Sequence, residues 1–309
     1  MNRRLTAISV ARIALLILVW VLGSIPQALA ATWTVRAQPT RLVNGGPVLF
    51  QVKPPARLES LTGTWLGHEL SFSLDPASKT WFALAGVSLE TGPGTYAIEL
   101  SGDTVAGKIP TRKISFTRKF AVARGKYPKI EVKLNVESKF TEPSPEQQKQ
   151  IEEGVVVKKE YLNRVTPEGE WSGQFTVPAE AEISDVFGAE RVFNGKTQST
   201  HFGLDFRVPS GTPVAAMNDG TVLLARPLYF EGNFVVLDHG QGLLTLYLHL
   251  SEFKVKEGDH VKRGEIVGLS GGTGRATGPH LHVAVRWQGT YLDPAGLLRM
   301  RLPQVAVSN

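Results

Sequence analysis

Gly278-Pro279-His280-Leu281-His282-Val283 is the stretch on which the reading of this chain turns. In a β-strand alternate side chains share a face, so His280 and His282 point one way and Leu281 the other. Two imidazoles behind a rigid Gly-Pro entry can converge on one metal ion or one reacting atom. Earlier stretches carry the same even spacing. His201-Phe202-Gly203-Leu204-Asp205 puts His201 and Asp205 on one face of a strand that runs into Phe206 and Val208. Alternation along Leu244 to His249 groups Thr245, Tyr247 and His249.

The surroundings predict the fold class. Residues 183–300 hold 17 of the 31 Gly, with turn clusters such as Asn218-Asp219-Gly220 and Glu257-Gly258-Asp259 between short β-rich runs and no long helical period. They read as an antiparallel, all-β domain. Residues 31–125 alternate apolar and polar positions between turns, including Asn44-Gly45-Gly46 and Gly92-Pro93-Gly94, which predicts an immunoglobulin-like β-sandwich. Within it Ile114, Phe116, Phe120 and Val122 share the core-facing parity, and Lys113 and Lys119 fall on the solvent face. Residues 126–182 form a linker. Ser144-Pro145-Glu146-Gln147 starts a helix running to about Asn163, with Ser as N-cap and Gln three residues later. Trp171 to Val177 reads as a further strand, and residues 301–309 as a tail.

The N-terminal 30 residues read as a signal peptide. Arg3, Arg4 and Arg12 precede an apolar run of 10 residues, Ile13 to Leu22, and Ala28-Leu29-Ala30 fits a cleavage site. A membrane span needs about 20 apolar residues, so no span is expected after cleavage. The chain is thus expected to be exported, to the periplasm or cell surface. Its formal charge of +6 falls to +3 once those three arginines leave. Nine basic residues against Glu131 lie between Lys108 and Lys133, a cluster best read as the solvated face of a strand. No aromatic-basic interleaving accompanies it, so nucleic acid is not an expected partner. The chain has no Cys, which excludes disulfides, thiolate metal sites and a Cys nucleophile. Any metal must be held by His and carboxylates.

A hydrolytic zinc site needs three N/O ligands and an open position. His201, Asp205 and one of His280 and His282 supply that set, and the remaining His and His249 are free for proton transfer and oxyanion stabilisation. Gly268-Leu269-Ser270-Gly271-Gly272 matches G-x-S-x-G, but the Gly-rich continuation cannot open the helix that motif requires. His68 reads as a surface residue of the sandwich, and His239 and His260 as turn residues without metal contact. Tyr247 reads as a packed strand residue.

Taken jointly, His201 to Asp205 resembles the H-x-G-x-D motif of the lysostaphin-type (LytM-like) zinc endopeptidases. Tyr247-Leu248-His249-Leu250 resembles their Y-x-H-L strand, and Gly274 to His282 their segment ending in T-G-P-H-L-H. The resemblance covers about Ile183 to Pro294. It implies a β-domain of the LytM, or duplicated hybrid motif, type. It implies zinc ligation by His201, Asp205 and His282, and a catalytic pair of His249 and His280. His280 is then the general base and His249 the oxyanion partner, with exchange of the two roles allowed. The implied substrates are peptide cross-bridges of bacterial peptidoglycan, here the D-alanyl–meso-diaminopimelate link. A silent activator of a cell-wall amidase is the alternative of another class, but such members lose ligands that this chain keeps. A secreted bacteriolytic protease is the other. The large upstream module without chemistry of its own predicts intramolecular inhibition, with the N-terminal region folded over the groove.

Overall fold

The computed structural model describes residues 32–105, 111–128, 131–193, 195 and 197–303. The expected signal peptide lies outside the described residues, as does most of the tail. Among the described residues no helix is long and apolar enough to cross a membrane.

Strands dominate, and their alternation explains how they pair. One N-terminal sheet orders Thr34–Gln38, Pro47–Lys53, Thr80–Gly86 and Ser73–Asp75. The other orders Leu42–Val43, Lys113–Ala123, Gly94–Thr104, Leu58–Trp65 and His68–Ser71. Phe50 of the first sheet meets Trp65 of the second edge-on at 5.1 Å and Phe120 at 5.5 Å, which closes the sheets face to face. Ile114, Phe116, Phe120 and Val122 pack inward, and Lys113 and Lys119 are exposed.

The linker helix spans Pro145–Tyr161 and is capped at Leu162. The Ser144 hydroxyl accepts from the Gln147 N–H, and the Gln147 side chain accepts from the Ser144 N–H at 2.8 Å. The strand expected over Trp171–Val177 does not form. Its residues make a strap whose hydrogen bonds go to separate partners, Trp171 N–H to His239 O at 3.3 Å and Thr176 N–H to Met217 O at 3.0 Å. The alternation there reflects insertion of Trp171 and Phe175 into the C-terminal core rather than ladder pairing.

The C-terminal sheet orders Ile183–Asp185, Leu204–Phe206, Leu281–Trp287, Leu243–Leu250, Gly232–Asp238, Gly220–Leu228 and His260–Val261. Thr290–Leu292 pairs with Leu281–Trp287 off this path, and Pro213–Ala215, Ile266–Leu269 and Glu252–Phe253 make a smaller sheet. Leu243–Leu250 is covered on both sides. Tyr247 belongs to the main core, whereas Leu244 and Leu246 pack with Leu162, Phe234 and Ala284. That double burial makes the strand an almost continuous apolar run.

The two modules share one apolar core. A Cβ on Gly86 would meet Leu292, and Asp293 N–H donates to Gly45 O at 2.7 Å. His68 is part of this junction: its ring lies 4.9 Å from that of Trp287. It is therefore a contact residue and not the free surface residue expected of it.

Candidate metal centre

The central strands bring the candidate ligands into register. Asp205 lies directly opposite His282, and His282 lies directly opposite Leu248 on its other side. His201 is not on the Asp205 strand as the spacing predicts. It follows the strand Thr197–Thr200 and reaches the site from a connection, its N–H donating to Ala189 O at 2.7 Å.

Three ligand atoms nevertheless meet. His201 Nε2 and His282 Nδ1 are 2.9 Å apart, and Asp205 Oδ1 lies 3.1 Å from the first and 2.8 Å from the second. A tetrahedral ion with bonds of 2.0–2.1 Å spaces its ligands by about 3.3 Å, close to the edges of this triangle. All three residues are buried, and no other group of three His, Asp or Glu among the described residues converges in this way. His201 Nδ1–H donates to Val186 O at 2.9 Å, which leaves Nε2 bare for an ion. Burial opposes the charge on Asp205, but its contacts with the His201 and His282 rings outweigh it and hold the carboxyl well below its usual range. Burial pushes His282 down to about 4 against the pull of Asp205, so its ring is neutral and able to ligate. Gly203 is required sterically: a Cβ there would come within 2.6 Å of His282 Nε2 and closer still to the Val283 carbonyl.

His249 reaches the centre by breaking its strand. Alternation puts it on the Tyr247 face, and Tyr247 points away from the metal centre, its hydroxyl accepting from Met217 N–H at 2.9 Å. Pairing with the neighbouring strand shifts between Asn233↔Leu250 and Val235↔Tyr247, so one extra residue is inserted. His249 has φ of 63°, a left-handed conformation that swings its imidazole across to His280 and His282. The ring centroids are then 4.9 Å from His280 and 6.1 Å from His282. His249 Nδ1–H donates to Thr273 O and His280 Nδ1–H to Gly278 O, both at 2.8 Å, so each presents a bare Nε2. Burial first, then His280 and His282, press His249 down to about 3.

Other groups around the centre were not marked by the sequence. Arg191 binds Asp205 Oδ2, the oxygen turned away from the histidines, and holds Asp185 with contacts of 2.6 and 2.9 Å. Two cavities flank His249. One is lined by His201, His282, Glu231, Lys158 and Leu162, the other by Asp205, His280, Asp185 and Arg207, and Arg191, Phe193 and Arg275 line both. Glu231 is ion-paired with Lys158 of the linker helix at 2.5 Å. No spacing in the sequence singles out Arg191, Glu231 or Lys158. Arg275 falls within the quoted Gly274–His282 stretch, at a position no spacing argument constrains.

The remaining histidines and Ser270 take no part. His239 is wholly buried between Asp219 O at 2.6 Å and Thr245 Oγ1 at 2.8 Å. His260 is exposed beside Thr221. Ser270 Oγ donates to Pro209 O at 2.6 Å and accepts from Thr212 N–H at 3.1 Å, a structural role.

A His/Asp/His group on a Gly-rich β-sheet, with two further imidazoles at its edge, offers the donor set of a metallopeptidase-like metal site. Comparison with known proteins agrees. The model of peptidase family M23 matches residues 199–294. Peptidoglycan DD-endopeptidase ShyA of Vibrio cholerae is 40% identical over 134 residues, 43% of this chain and 30% of that protein. DD-carboxypeptidase/endopeptidase Mpg of Neisseria meningitidis is 43% identical over 115 residues, 37% of this chain and 26% of that protein. The chain thus spans less than a third of the length of these curated relatives. A crystal structure from Pseudomonas aeruginosa, provisionally described as a peptidase M23, superposes with a TM-score of 0.63 at 28% identity over 84% of this chain and 95% of that one. Over residues 199–294 the chain carries a peptidase family M23 domain, of the LytM/lysostaphin type.

Proposed function

We propose that this protein is an exported, zinc-dependent endopeptidase that hydrolyses peptide cross-bridges of peptidoglycan, at the D-alanyl–meso-diaminopimelate bond. The observation that carries this reading is the convergence of His201, Asp205 and His282 beside His249 and His280. The printed activities of the ShyA and Mpg relatives support the substrate class. Strand order in the two N-terminal sheets supports reading residues 31–125 as the immunoglobulin-like module.

Zinc, when bound, supplies Lewis acidity and lowers the pKa of water. His201 Nε2, Asp205 Oδ1 and His282 Nδ1 would hold it. Asp205 keeps its charge, and Arg191 fixes its second oxygen. The resemblance makes His280 the base and His249 the oxyanion partner. The hydrogen bonds give both rings the same starting state. Neutral His249, with Nδ1–H on Thr273 O, and neutral His280, with Nδ1–H on Gly278 O, each hold only a lone pair at Nε2, so each must take a proton before it can donate one. Whichever of the two rings takes the proton of the attacking water can afterwards return it to the leaving nitrogen.

Intramolecular inhibition is supported by the linker. Its helix places Leu162 and the Lys158–Glu231 pair in one cavity wall, and its strand Glu131–Leu134 pairs with Glu190–Phe193, which carries Arg191.

The test is digestion of purified sacculi by the zinc-loaded protein, with products read by mass spectrometry. Cleaved D-alanyl–diaminopimelate cross-links that vanish with a chelator support the proposal. Cleavage confined to glycine bridges, or none, removes it.

A further inference from the structure

Among the described residues Arg275 is a cation without an ion-pair partner, and it lines both cavities beside His249. Its guanidinium carbon lies 4.3 Å from the centroid of Phe193 and 4.8 Å from that of Phe230. Its backbone N–H donates to Phe230 O at 2.9 Å, which anchors the residue between the two rings. Two aromatic faces hold the fork in orientation while leaving its N–H groups free. Neighbouring cations are all satisfied: Arg191 by Asp185 and Asp205, Arg207 by Glu182, and Lys158 by Glu231. Arg275 makes no ion pair among the described residues, and Glu231, the acid that acts on it, is engaged by Lys158. Burial, with Arg191 nearby, works against its charge. An incoming anion would relieve that cost.

The geometry points to Arg275 as a specificity-determining residue that binds a free carboxylate on the residue supplying the leaving amine. This rests on the endopeptidase reading above and names what that site selects. Arg275 lines both cavities that flank His249, which places it beside the space in which the scissile bond would lie. In a D-alanyl–meso-diaminopimelate cross-link, the carbon bearing the released nitrogen also bears a free carboxylate. That carboxylate is only two bonds from the nitrogen that His249 and His280 must serve, and a guanidinium fork matches it bidentately. A glycine bridge presents no anion at that position, so the same contact separates the two substrate classes.

The experiment compares two synthetic cross-linked peptide dimers, one with this carboxylate free and one with it amidated, using the zinc-loaded full chain. Cleavage gives kcat/KM, and equilibrium binding is read in a His249→Ala background. Wild type should prefer the free acid by about 10- to 100-fold, the range of a charge-assisted hydrogen bond to a partly buried group. In Arg275→Gln that preference should collapse to within about twofold, and Arg275→Lys should keep part of it. The inference is overturned if wild type treats both dimers alike, or if Arg275→Gln retains the full preference. Should Arg275→Gln fail to fold, the wild-type ratio and Arg275→Lys decide: an undiminished ratio in Arg275→Lys counts against a bidentate fork. A wild-type chain that neither binds nor cleaves either dimer sinks the endopeptidase reading itself.

Discussion

Two neighbouring strands, Leu281–Trp287 and Leu243–Leu250, both deliver a histidine to the same cleft by opposite means. His282 arrives by regular alternation, opposite Asp205 and Leu248. His249 arrives by an irregularity, an inserted residue and a positive φ that carry it off its alternating face. The regular strand holds His282, a proposed ligand, in register with Asp205, as a metal site would require. The bulge sets His249, the proposed proton-handling group, beside the candidate ligands, a use of bulges common near reacting centres. Had alternation continued, His249 would share the Thr245–Tyr247 face, where Tyr247 is wholly buried.

Breaking the regular side should give the largest effect. His282→Ala, or His201→Ala, removes one of the three proposed ligands. Metal content should drop towards zero and muropeptide release should fall by well over about 100-fold, since even losing an outer partner of a ligand costs 10- to 100-fold. Elemental analysis beside a sacculus assay checks both.

Gly203→Ala attacks the same side indirectly. Its Cβ would press on His282 Nε2 and the Val283 carbonyl, so the ring or the strand must move. Zinc affinity should fall by about 10- to 100-fold, with about 1–3 kcal/mol of stability lost to overpacking. Competition with a chromogenic chelator and urea unfolding would report the two effects separately.

Acid stability probes the face that His249 avoids. Burial holds His239 below the ordinary histidine value, so it stays neutral when folded, whereas the unfolded side chain titrates near 6.5. Its contribution is complete above about pH 6.5 and is lost as pH falls towards the folded value, by at most about 1.4 kcal/mol per pH unit. His249 and His282, pushed down to about 3 and about 4, act in the same direction in metal-free protein. Urea midpoints between pH 7 and 5 should therefore fall, and His239→Gln should make the slope shallower by up to one histidine's share. An unchanged slope would show that His239 takes up its proton in the folded state.

The smallest effect concerns the linker. Lys158→Ala removes the ion pair to Glu231 and should raise the rate a few-fold if the helix restrains the cleft, since such a pair is worth on the order of 1 kcal/mol. Steady-state muropeptide release measures it, and an unaltered rate would leave the helix a purely structural part.

This comparison also explains what the sequence made legible. The β-rich class, the capped helix after Ser144 and the His280/His282 face all follow from period-two alternation and turn chemistry, which act locally. His201 meets Asp205 despite leaving its strand, because even spacing records proximity and not the element that produces it. The bulge at His249 left no signal, since a single inserted residue in Leu243–Leu250 depends on the partner strand and not on local composition. Trp171 to Val177 misled for a related reason: an alternating apolar pattern also describes a strap that plugs side chains into a neighbouring core. Arg275 could be read only once Phe193 and Phe230, distant in sequence, were seen on either side of it.

The most direct test measures metal and catalysis on one preparation of His249→Ala. With the regular strand intact and the bulged residue truncated, about one zinc per chain should remain bound while cross-link cleavage falls by about 100-fold or more. A His249→Ala protein that cleaves sacculi at the wild-type rate, or one that loses its zinc, would contradict the division of labour between the two strands.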